Sequence, residues 1–361
     1  MLKSKYLKVI GTITILTIAL VGCGNETKND TSKQSKEPTT QSQNKSEKKA
    51  SYYYSANEGG SISKIDAATN KVLETIKDKG SPHNVQVSPD GKVLAATSAV
   101  KMKEGQTEHG TMSMNGSALF YDVETNKLIK EVEVGKHPAH VVYTSDGKYA
   151  LVTNNEDNNV SVIDTKDYNV VGKIFTGNGP HGFRISKDNK FAYVANMNED
   201  TISVLDIVNF KEIRKIKVGK TPVTTGITSD GKTLVATVNG ENILAVVDLA
   251  TDKVEKIPVG VGPAQVYLQS DDKFAFVANQ GTESSPSNTV SKIDLTAKKT
   301  VATIETGKGA HGVVTTADNK FVYVTNMYDN TISVIDNSQN KVIATVPTDK
   351  TPNGISYRES K

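Results

Sequence analysis

Beyond residue 50, short runs of apolar and β-branched residues alternate with polar turn clusters, and one kind of run, apolar positions closed by an aspartate, keeps returning. It occupies Ile62 to Asp66, Leu119 to Asp122, Val160 to Asp164, Ile202 to Asp206, Ile243 to Asp248, Val290 to Asp294 and Ile332 to Asp336. The steps between the terminal aspartates are 56, 42, 42, 42, 46 and 42 residues, a period that marks stacked structural repeats. Seven units follow, two of them with insertions. The last complete unit holds four runs, His311 to Thr315, Phe321 to Thr325, Ile332 to Ile335 and Val342 to Val346. Their Val, Ile, Thr and aromatic content predicts four strands, called A, B, C and D here. The A–B turns carry Asp90-Gly91, Asp146-Gly147, Asp188-Asn189, Asp230-Gly231, Asp271-Asp272 and Asp318-Asn319, residues that tolerate the positive φ of tight hairpins. Consecutive apolar positions such as Phe321-Val322-Tyr323-Val324 fit sheets covered on both faces.

Four antiparallel strands in about 42 residues, seven times over, predict an all-β fold, a seven-bladed β-propeller whose blades pack face to face. The chain ends point the same way. The first unit has B (Tyr52 to Ala56), C and D (Val72 to Ile76) but no A, whereas the chain finishes with an A-like Pro352-Asn353-Gly354-Ile355-Ser356-Tyr357. Pairing of that C-terminal strand with the first blade would close the ring and remove its exposed edges. Tyr323-Val324-Thr325-Asn326, with near copies at Tyr193 to Asn196, Leu151 to Asn154 and Phe276 to Asn279, resembles the signature of the YVTN-repeat propellers. The second unit has Ser98 at the Asn position, and in the fifth the Asn is read one place later, at Asn239. The resemblance spans residues 51 to 361 and implies a secreted or surface propeller similar to the YncE-like proteins and to the propellers of surface-layer and denitrification proteins. It implies no single activity, because propellers host many.

The first 22 residues read differently. Lys3, Lys5 and Lys8 precede an apolar run from Val9 to Val21, and Leu20-Val21-Gly22-Cys23 follows. This is the layout of a cleaved export signal, and the quartet resembles the bacterial lipobox, which implies diacylglyceryl modification of Cys23. About 13 apolar residues fall short of the ~20 that span a bilayer as a helix. Expected are a lipoprotein signal peptide over 1–22, lipidated Cys23 with a disordered tether over 23–50, and the propeller over 51–361. The tether contains no aliphatic or aromatic core former and cannot offset ordering entropy. The expected location is therefore extracytoplasmic, with the membrane as a partner through the lipid anchor.

Composition then excludes several chemistries. Lys+Arg total 43 against 40 Asp+Glu, and removing the signal leaves them balanced. That gives no footprint for nucleic acid. A single cysteine excludes an intrachain disulfide, a zinc ribbon and a C-x-x-C-H haem site. Gly226 to Thr233 matches the phosphate-loop pattern letter by letter. That mechanism needs a strand, the loop and then a helix, whereas Asp230-Gly231 sits at a repeat hairpin. The strand-ending aspartates are expected to accept backbone N–H bonds in the following turn rather than act as acid/base pairs. There is no G-x-S-x-G or H-E-x-x-H sequence.

Histidine is more informative. Of six, four enter strand A: His83, His181 and His311 at one repeat position, and His140 one residue later. Strand A is innermost in such a propeller, so these side chains should ring one mouth of the channel. Other units place Val223, Ala264 and Asn353 there, so the repeat does not demand histidine. The expected ligand-binding set is His83, His140, His181, Gln265, His311 and Asn353. Apart from Met1, every methionine lies in a B–C segment: Met102, Met112 and Met114 in the insertion from about Ser98 to Gly116, which also holds His109, and Met197 and Met327 directly after the repeat Asn. B–C and D–A connections emerge on one face. Imidazole with thioether is a soft set that favours Cu(I), with His83, His181, His311, His109, Met112 and Met114 as its donors.

Three functional readings follow. The first is a monomeric, non-enzymatic, lipid-anchored module that binds a protein or small molecule through the His/Met face, with the insertion as a lid. The second is a copper-binding or copper-handling protein. The third is an enzyme, such as a lactonase or a quinoprotein-like oxidoreductase. A lactonase requires a carboxylate-lined metal site in the channel, and the sequence assigns none.

Overall fold

In a computed structural model, residues 50–100 and 114–359 are described. Cys23, Met102, His109 and Met112, with the signal and the boundary at 22/23, lie outside the described residues. Seven four-stranded antiparallel sheets form, one per repeat. The first is completed by the chain's last strand: Pro352–Arg358 pairs with Tyr52–Asn57, placing Arg358 opposite Tyr52 and Ile355 opposite Ser55. This is the closure that the complementary half units predict.

The outer turns follow from the repeat residues. Each strand C ends in an aspartate whose Oδ1 accepts backbone N–H bonds two or three residues on, as Asp122 does from Glu124 and Thr125 at 3.1 and 2.7 Å. The same holds at Asp66, Asp164, Asp206, Asp248, Asp294 and Asp336. The phosphate-loop look-alike is a hairpin between Pro222–Ile227 and Thr233–Val238, with Gly231 at φ 69°.

Alternation along each strand places apolar side chains on both faces of the sheet. Seven buried clusters result, each shared by two adjacent blades. Tyr54, Ile62, Leu94 and Leu119 join blades 1 and 2, and Tyr323, Ile332, Tyr53 and Ile355 join blades 7 and 1. The motif asparagines sit beneath the B–C turns, fully buried, with the amide shared between two hydroxyls, or at Asn154 between Ser161 and the Asn159 amide oxygen. Asn326 Nδ2 donates to Thr331 and Ser333, each at 2.9 Å.

The motif threonine stitches neighbours together. Thr153 Oγ1 accepts the His140 N–H at 2.9 Å and donates to the His181 carbonyl of the next blade at 2.8 Å. Thr97, Thr237 and Thr325 repeat this bridge to Ala139, Ala264 and Asn353. Thr153→Val is therefore expected to orphan two buried backbone groups and lower stability by about 1–3 kcal/mol, read from the midpoint of chemical unfolding. The inner strands approach so closely that a Cβ on Gly182 would stand 2.2 Å from Thr224 Cγ2.

Two registers differ from expectation. In the fifth blade Val238, not Asn239, takes the motif Asn position, opposite Ile243; Asn239 opens a short 3-10 turn. Its amide bonds the Pro263 carbonyl, as Asn155 bonds that of Pro180. In the second blade Ser98 and Gly116 already belong to strands Val93–Ala99 and Asn115–Asp122, so the insertion is shorter than the sequence suggested. The extra residues of the sixth unit lengthen its B–C hairpin, where Gly281 pairs with Pro286.

Candidate functional site

Strand A of each blade starts at the channel mouth where the B–C turns emerge, and a register shift after its first residue opens the strand there. Side chains at the next two positions consequently converge on the axis. His83 and His181 have ring centroids 5.2 Å apart, His140 and His181 4.9 Å, His83 and His140 5.9 Å, and His83 and His311 6.4 Å. Ring nitrogens of His83, His140 and His181 lie within 4.8 Å of one another. His140, His181 and His311 are buried.

Hydrogen bonding fixes the tautomers of two rings. Glu58, on the first blade's B–C turn, places Oε1 2.8 Å from His83 Nδ1. The same oxygen accepts the Asn353 amide at 2.8 Å. A carboxylate only accepts, so His83 carries its hydrogen on Nδ1. His181 Nδ1 faces the Val223 carbonyl at 3.2 Å, so it too is the protonated nitrogen. His181 Nε2 is thereby left with a lone pair, and it faces His83 Nε2 at 3.2 Å. A proton on His83 Nε2, or a metal ion between the two rings, satisfies that lone pair.

Burial makes a resident proton costly. It holds His140 and His181 well below the ordinary imidazole pKa, helped by neighbouring imidazoles and, at His140, by Arg184; the Val223 carbonyl opposes this at His181. His311 is pushed down to about 4 by burial and by His83, against an opposing pull from Glu58. Burial raises the Glu58 pKa, but the His83 hydrogen bond, the His83 and His311 charges and the Asn353 amide outweigh it, leaving a carboxylate below its usual range. Both nitrogens of His140 and Nδ1 of His311 are buried with no hydrogen-bond partner. The site is thus a nest of buried imidazoles, His140, His181 and His311 held neutral, with unspent lone pairs beside one ionised carboxylate.

The expected set is only partly assembled here. His83, His140, His181, His311 and Asn353 meet at this mouth, whereas Gln265 lines a cavity farther along the channel. His140, not His311, completes the closest trio. The described sulfurs are otherwise engaged or exposed: Met327 Sδ accepts the Gln280 amide at 3.2 Å, Met197 lines a separate recess, and Met114 is half exposed. That recess, about 950 Å³, is larger than the channel cavity, but its Lys217 and Lys256 are already paired with Asp200 and Glu241. Sequence reasoning missed Glu58. It follows the first unit's Asn57, in the column that holds Met197 and Met327, and is the only acid in that column.

The fold and its central cluster can now be set beside known proteins. The model of the YNCE-like beta-propeller family matches residues 113–361. The chain belongs to the YNCE-like β-propeller family. Among solved structures, hydrazine synthase of Kuenenia stuttgartiensis is similar at 23% identity and a TM-score of 0.66, over 78% of this chain and 90% of that one. A functionally unknown protein from Desulfotomaculum acetoxidans DSM 771 is similar at 14% identity and a TM-score of 0.72, over 86% of this chain and 99% of that one. At these identities both likenesses concern the fold. Comparison with curated proteins finds no match. For this YNCE-like propeller, function therefore has to be argued from the channel mouth.

Proposed function

We propose that this propeller is a transition-metal-binding module that works outside the cell on a lipid anchor at Cys23. His83, His140 and His181 supply the donors, with His311 at hand as a fourth. One observation carries the reading: the Nε2 atoms of His83 and His181 face each other at 3.2 Å, with a His140 nitrogen within 4.8 Å of ring nitrogens of both. Two nitrogens bound at 2.0–2.1 Å to one tetrahedral ion stand about 3.3 Å apart, so little movement is required of them. Glu58 on His83 Nδ1 supplies the outer carboxylate that fixes a ligating imidazole. Imidazole donors suit Cu²⁺ and Zn²⁺, and affinity order favours Cu²⁺. The Cu(I) preference argued from thioethers gains nothing from Met327, whose sulfur is taken by the Gln280 amide, or from Met197, which lines a separate recess.

Titrating metal-stripped protein with Cu²⁺ and with Zn²⁺ is expected to give one tight site per chain. It should also stabilise the fold by about 2.7 kcal/mol at a hundredfold excess over Kd. His137→Ala, at an exposed ring bonded to Glu156, should bind normally. Absence of saturable binding at micromolar metal overturns the reading.

A further inference from the structure

The channel does not end at the imidazoles. Farther along, each inner strand presents the residue that pairs with the third position of strand B, as Arg184 pairs with Tyr193 and Gln86 with Ala95. Gln86, Arg184, Tyr267, Val314 and Ser356 of this tier line a cavity of about 250 Å³ that reaches the opposite mouth, where the A–B turn residues Ser88 and Pro89 stand. Val142 and Gly226 complete the tier by register. Arg184 is the single charged residue among the seven.

Nothing in the fold accounts for that charge. Arg184 Nη1 donates to the Phe183 carbonyl at 2.8 Å, and its guanidinium lies 5.6 Å from the Tyr267 ring. Among the described residues no carboxylate forms an ion pair with it, and Glu359, at the cavity rim, is exposed. Confinement in the channel works against its charge. Lining the same cavity, Gln265, 3% exposed, has a buried Nε2 with no acceptor. Gln86 commits its Oε1 to the Tyr143 N–H at 2.7 Å, which leaves its amide nitrogen as a further donor. An unpaired cation and unspent amide donors, walled by Val85, Val141 and Ile355, call for a small acceptor-only anion with an apolar tail.

We propose that this cavity binds a short-chain monocarboxylate, its oxygens on the Arg184 guanidinium and the Gln265 amide and its alkyl portion against the valines. A guanidinium matches a carboxylate in two parallel bonds, and the cavity is smaller than typical ligand pockets, which excludes larger acids. The site does not rest on the metal reading: none of its donors belongs to the imidazole cluster, although the Arg184 charge reaches His140.

The test is calorimetric titration of the metal-stripped full chain with butyrate and, separately, with inorganic phosphate. Butyrate should bind saturably, and Arg184→Gln should weaken it at least about 10-fold, the scale of a lost charge-assisted pair, without shifting the melting temperature appreciably. Should that variant not fold, Gln265→Leu provides the second arm and must also weaken butyrate. The same titration in His140→Leu should be unchanged, which separates this site from the metal site. No saturable butyrate binding at millimolar concentration, unaltered binding in both variants, or binding of phosphate in preference to butyrate would overturn the proposal.

Discussion

Replacing His140 by leucine is expected to make the metal-free propeller more stable while abolishing its tight metal binding. His140 is 1% exposed, and neither ring nitrogen has a partner. A buried polar group left unsatisfied costs about 1–3 kcal/mol, and leucine fills a similar volume without that penalty. The apo protein should therefore gain stability of that order. Loss of a partner outside the coordination sphere already lowers metal affinity 10- to 100-fold in known sites, so deletion of a direct ligand should exceed about 100-fold. Chemical unfolding with and without Cu²⁺ reads both effects at once: the variant's midpoint rises without metal and no longer responds to it. A variant less stable than the parent in metal-free buffer would show that the ring nitrogens are satisfied, and the reading of the nest would fail.

Ending the chain at Thr351 is expected to abolish cooperative folding. The lost strand pairs along Tyr52 to Asn57, inserts Ile355 into the cluster between blades 7 and 1, and places Tyr357 against Tyr323 at 5.9 Å. Five register pairs at about 0.5–1.5 kcal/mol per net hydrogen bond, with a buried isoleucine at about 2–5 kcal/mol, amount to much of the 5–15 kcal/mol that holds a typical domain together. The bare edge of Tyr52–Asn57 would also become a template for intermolecular pairing. Size-exclusion chromatography and thermal melting should show aggregate and no sharp transition. A monomer melting like the full chain would mean that the ring does not depend on its clasp.

The architecture was legible because the residues that specify it recur. Aspartates that tie off the C–D turns, residues that allow positive φ in the A–B turns, and threonines that bridge blades each return with the repeat, so an error in one unit is corrected by its neighbours. The fifth blade was misread where that redundancy lapses, since Val238 occupies the asparagine's place and the adjacent Asn239 imitates it. The candidate site was harder because it is made of departures from the repeat. Four histidines stood out against Val223 and Ala264, but Glu58 and Arg184 occur once each, and only the register shows that they face the axis. Grouping the methionines with the histidines rested on the connections that leave the ring on one face. It could not supply distances, because one face of the ring holds many side chains that never touch.

The clasp also sets an order of events. The opening blade stays one strand short until the final residues of the chain have been made, so no earlier fragment can shut the circle. Six blades are each built from consecutive strands, so the opening blade alone couples two distant stretches of sequence, and its completion ties one side of the ring to the other.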